Sequence, residues 1–88
     1  MIKIEDTRDM MISQDYKERF KAEYIQLYIR TEKLGRLLGN WGRLDFKPAC
    51  PEYVLENQYT AMSQYLSILR ERADREQIKL PDIASFYR

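Results

Sequence analysis

Histidine is absent from these 88 residues, and cysteine occurs once, at Cys50. The first absence removes the commonest general base and metal ligand of neutral pH. The second excludes an internal disulfide and fits a reducing compartment. Cys50 precedes a proline and has no His or Cys partner, so neither nucleophilic catalysis nor a metal site is expected of it. Net charge is nearly absent too, because 15 basic and 14 acidic residues leave a formal +1. Without a basic excess, no nucleic-acid polymer is expected as a partner. No apolar run approaches membrane-spanning length, and no membrane partner is expected. Met1 to Glu5 alternate apolar and charged types, unlike a signal peptide, so the expected location is the cytoplasm. No phosphate-cradling glycine motif appears, and no carboxylate falls where burial would tune it. The chain reads as non-enzymatic and without a cofactor.

What remains is a globular composition, 44% apolar and 33% charged, with glycine and proline scarce. Gly39, Gly42, Pro48 and Pro51 cluster in one short stretch and divide two long helical patterns. The first pattern places Phe20, Tyr24, Leu27, Thr31, Leu34, Leu38 and Trp41 at alternating steps of four and three. That heptad spacing belongs to helices packed at a shallow angle. The second reads Leu55, Gln58, Met62, Tyr65, Leu69, then Arg72 and Ala73. The sequence therefore predicts one all-α domain, an antiparallel helical hairpin with a short arm and a tail. Its parts are an arm over 1–12, helices over 14–40 and 51–78, a loop over 41–50 and a tail over 79–88.

Finer expectations follow from local chemistry. Ile2 to Glu5 suit a short extended piece, Thr7 a cap for one turn through Met10 and Met11, and Ser13 the N-cap of the first long helix. Gly39, Asn40 and Gly42 suggest a left-handed end to that helix. Pro51 suits the first position of the second, and Pro81 its end. Gly35 beside the seam would admit a close neighbour. Leu44 and Phe46 are expected to fold over the closed end of the hairpin.

A lone hairpin buries one stripe on each helix. Ile25, Tyr28 and Ile29 on the first, with Val54, Tyr59, Ala61, Leu66 and Ile68 on the second, form additional stripes. Burying a Leu or Ile side chain is worth about 1.5–3 kcal/mol, so these residues favour a homo-oligomer. The alternative cover is the arm together with Phe86 and Tyr87 of the tail.

Lys17, Lys21, Ile25 and Tyr28 share a helical face by steps of four, four and three. Two ammonium groups near an aromatic ring suit a phosphate beneath a stacked base. The plainer reading is an amphipathic interface with lysine stems laid along it. Antiparallel pairing also brings Lys17, Arg19 and Lys21 near Arg70, Arg72 and Arg75. Glu18, Glu23, Glu71, Asp74 and Glu76 stand ready to neutralise them pairwise.

Asp15 to Phe20, continuing to Glu32-Lys33-Leu34, resembles the first helix of a small-protein family of crAss-like phages and prophages. Leu55 to Gln58, Ala61-Met62, Tyr65-Leu66 and Leu69 to Arg72 resemble that family's second helix. The likeness covers residues 15–78; the long arm and aromatic tail depart from it. The layout is also similar to the phage anti-CBASS cyclic-nucleotide sponges, which hold host signals in pockets between protomers of a hexamer. Their binding motif does not align with this chain, so the likeness is architectural. It implies a phage-type protein acting in the host cytoplasm, sequestering cyclic nucleotide immune signals. Lys17, Lys21, Arg72 and Arg75 would then hold phosphates, while Tyr16 and Tyr28 stack on bases. The competing expectation is a helical protein–protein interaction module, a host-factor inhibitor or assembly adaptor.

Overall fold

In the computed structural model, residues 3–83 are described. A 3-10 turn (Ile4–Thr7) leads into α1 (Arg8–Met11), then α2 (Tyr16–Gly39), a 3-10 turn (Trp41–Arg43) and α3 (Glu52–Arg75). No strand occurs among the described residues. The two long helices pack together, and their partners run in opposite directions. Tyr16 meets Glu76, Glu23 meets Tyr65, and Gly35 meets Tyr59. The antiparallel hairpin is thus the fold, with its ends open near Tyr16 and closed near Trp41.

Each long helix has 24 residues and starts later than its caps suggested. Asp15, not Ser13, is the N-cap of α2, and its carboxylate accepts from the Lys17 amide at 2.9 Å. Ser13 instead accepts from the Asp15 amide at 3.1 Å, one step earlier in the same turn. Pro51 is the N-cap of α3, outside the helix, and Glu52 opens it. A left-handed residue ends α3 rather than α2. Gln77 has φ 57°, while no glycine among the described residues has positive φ. Around Gln77 the Ile78 amide reaches back to the Ala73 carbonyl at 2.8 Å. That six-to-one bond is the mark of a Schellman end, so α3 stops six residues before Pro81. At the other closure, Asn40 caps α2 from its amide and its side chain, both on the Arg36 carbonyl.

The core joins Phe20, Tyr24, Ile25, Leu27, Tyr28 and Ile29 of α2 to Leu66, Leu69 and Ala73 of α3, with Ile78 and Ile83 beyond. Two expectations about the stripes are corrected here. Ile25, Tyr28 and Ile29 are buried, not exposed. The arm lies on α2, and its Ile4 and Met10 pack against the cluster containing them. Thr7 anchors it: the wholly buried hydroxyl donates to the Ile4 carbonyl at 2.6 Å and accepts from Gln26 Nε2 at 2.8 Å. Thr7 therefore makes no side-chain cap to α1, and Ile4 and Glu5, expected to be extended, lie in the 3-10 turn.

The second correction concerns α3. Its inner line is Met62, Leu66, Leu69 and Ala73, so Leu66 takes the place expected of Tyr65. A buried tyrosine needs a partner for its hydroxyl. At the seam's edge, 42% exposed, Tyr65 finds one by donating to the Glu23 carboxylate. Gly35 does admit a close neighbour: a Cβ there would lie 2.9 Å from the Tyr59 ring. Of the closed-end pair, Leu44 is half-buried and Phe46 is exposed. In the tail, Ile83 folds back into the core; Phe86 and Tyr87 lie outside the described residues.

Candidate functional site

At the open end, helix pairing sets the start of α2 against the last turn of α3. The Tyr16 hydroxyl donates to Glu76 Oε1 at 2.9 Å and accepts from Arg72 Nη2 at 2.7 Å. Arg72 Nε also reaches Glu76 Oε2 at 3.4 Å. The guanidinium lies over the Phe20 ring, 4.9 Å from its centre, and Phe20 in turn tilts against Tyr16 at 6.2 Å. One cation is thereby held by an exposed phenol and an exposed carboxylate over the face of a buried ring, Phe20. Partial desolvation opposes the Arg72 charge, but Tyr16 and Glu76 outweigh it and hold its pKa above the ordinary value. A fixed, always-charged fork beside an exposed phenol can bind an oxyanion and stack on a flat ring.

The other expected residues distribute unevenly around this cluster. Lys17 is exposed beside Tyr16, with no ion pair for its side chain among the described residues. Lys21, one turn along, pairs with Glu18 at 3.5 Å. Arg75 pairs with Glu71 at 3.3 Å, exposed on the outer side. Tyr28 stands apart. It lies about 18 Å from Tyr16 along the helix, packed in the core with its ring tilted on Tyr24 at 6.0 Å. Within the chain, Tyr16, Lys17, Lys21 and Arg72 share the open end, Arg75 flanks it, and Tyr28 does not.

Phe20 and Glu76 belong to the cluster and were assigned other roles in the sequence reading. Their signal was present as two spacings of four, Tyr16 to Phe20 and Arg72 to Glu76. A second guanidinium, Arg70, lies 5.9 Å from the Tyr24 ring centre. No trio of His, Cys, Asp or Glu side chains among the described residues is placed to hold a metal ion.

The outer side of α3 is chemically different. From Asn57 to Leu69 the helix carries no charged side chain on any face. Val54 and Ile68 are exposed along it at 39% and 55%, with Ala61 exposed between. A shallow depression of about 370 Å³, lined by Tyr59, Thr60, Ser63, Gln64 and Ser67, lies on the same helix. Its lining carries no charged side chain.

With this geometry in place, the comparison with known families is decisive for kinship. The Sequestin family model matches residues 14–75, which is more than half of the chain. The chain belongs to the Sequestin family. The matched span holds α2, the loop and α3, and leaves out the arm and tail. No curated protein matches the chain, and no solved structure does. The family name is compatible with a sequestering protein, and no helix among the described residues is long and apolar enough to cross a membrane.

Proposed function

We propose that this protein is a phage-type sponge that binds a cyclic nucleotide immune signal in the host cytoplasm and holds it unchanged. The observation that carries this reading is the Tyr16–Arg72–Phe20 cluster, a fixed cation and an exposed ring side by side. Arg72 and Lys17 hold phosphates, Lys21 and Arg75 extend the positive rim, and Tyr16 stacks on a base. Tyr28 joins them only if its ring turns out of the core. One open end is small for a cyclic dinucleotide, and a homo-oligomer that gathers several open ends completes the pocket. The apolar residues left exposed on α3 favour such assembly.

The uncharged outer face of α3 also favours a second reading, a helical interaction module that docks a protein partner. A thermal-shift panel of cyclic di- and trinucleotides separates the two. A sponge gains several degrees with its ligand, and the ligand is recovered intact after denaturation. No shift with any member leaves the interaction module. In a binding titration, Lys21→Ala weakens the ligand without lowering the apo melting temperature; an unchanged affinity removes Lys21 from the site.

A further inference from the structure

We infer that Glu76 occupies the place of a ligand phosphate on Arg72 and acts as an internal competitor that sets the affinity of the open end. This rests on the sponge reading of that end. The carboxylate spans the same two donors an incoming oxyanion would use, the Tyr16 hydroxyl at 2.9 Å and Arg72 Nε at 3.4 Å.

Helix stability does not account for an acid at this position. Glu76 is the C-cap residue of α3, where the negative pole of the helix disfavours a carboxylate. Its partner Arg72 lies four residues earlier, so the pair has the basic residue first, the weaker orientation on a helix. Both side chains are well exposed, at 43% and 38%, so water screens the pair and it opens readily. The arrangement keeps the guanidinium fork aimed at Tyr16 while remaining displaceable. A single phosphodiester matches the carboxylate in charge and in free oxygens, so a cyclic nucleotide replaces it by bringing several phosphates and a base to the open end at once, and pyrophosphate by its higher charge.

Glu71 provides the internal control. It pairs with Arg75 at the same spacing of four, in the opposite order and without contact to Tyr16 or Phe20. Removing either acid changes the net charge equally, but only Glu76 blocks the Tyr16–Arg72 fork.

The test is calorimetric titration of wild type, Glu76→Gln, Glu76→Ala and Glu71→Gln with cyclic di-AMP, cyclic tri-AMP and inorganic pyrophosphate. Melting temperatures of the free proteins establish that each variant is folded. Glu76→Gln and Glu76→Ala are expected to bind about fivefold tighter, the equivalent of ~1 kcal/mol. Glu71→Gln should gain less than twofold, on the order of a screened surface charge. Equal gains for Glu71→Gln and Glu76→Gln overturn the competitor role, because net charge then explains both. Cyclic-nucleotide binding by wild type that the Glu76 variants leave unchanged also overturns it, while sparing the sponge reading. Tighter pyrophosphate binding by the Glu76 variants, with no cyclic nucleotide bound by any protein, retains the competitor and removes the sponge. Binding of nothing by any of the four removes both.

Discussion

α2 and α3 are equal in length and opposite in circumstance. α2 buries eight residues, from Phe20 to Thr31, because α3 covers one side and the arm covers another. α3 buries three, Leu66, Leu69 and Ala73, all in its second half. The charge pattern follows the same division. α2 has charged residues along most of its length, whereas α3 carries none between Glu56 and Arg70. A helix facing water on its remaining sides gains from charge there. One that is apolar and uncharged on an outer face suits a further contact, the feature that separates interface centres from ordinary surface. The pair teaches that most of the buried positions lie on α2, while the exposed, uncharged surface lies on α3.

The sharpest break of that comparison is between adjacent residues of α3. Leu69 is wholly buried and Ile68 is exposed. Leu69→Ala should cost about 2–5 kcal/mol by urea denaturation, and Ile68→Ala within about 0.5 kcal/mol for the dilute protein. Equal losses would mean that Ile68 is as buried as Leu69. Next comes the arm, which gives α2 its second covered side. Thr7→Val keeps the volume but removes the hydroxyl that donates to the Ile4 carbonyl and accepts from the Gln26 amide, leaving that amide only the Met11 sulfur, at a cost of about 1–3 kcal/mol. A null result would detach the arm from the stability of α2. At the end of α3, Gln77→Gly relieves a positive φ and should raise stability by ~1 kcal/mol, read as a higher melting temperature. The smallest effect distinguishes two glycines of α2. Gly39→Ala meets no atom within 4 Å and should gain up to ~1 kcal/mol of helix propensity. Gly35→Ala must displace the Tyr59 ring and should gain measurably less.

The hairpin was legible because two heptad patterns and one cluster of helix breakers agree on it. The open-end placement of Tyr16 and Arg72 follows from antiparallel pairing alone. Other features were hidden for definite physical reasons. Nothing local distinguishes Tyr65 from Leu66 as the inward residue; the choice depends on a hydroxyl partner, Glu23, on the other helix. The arm's packing on α2 turns on Thr7, whose tertiary bond to Gln26 overrides its capping tendency. The left-handed end fell on Gln77 instead of a glycine because the turn toward buried Ile78 requires it there. Tyr28 shares a helical face with Lys17 and Lys21 by spacing, yet that face passes from open surface into the covered core along its length.

A second copy of this chain against the outer face of α3 is the proposal that the molar mass in solution tests most directly. Multi-angle light scattering at micromolar concentration should give a multiple of 10.7 kDa, reduced by Ile68→Asp with helical content intact. A wild-type mass of a single chain across the accessible concentration range would contradict it.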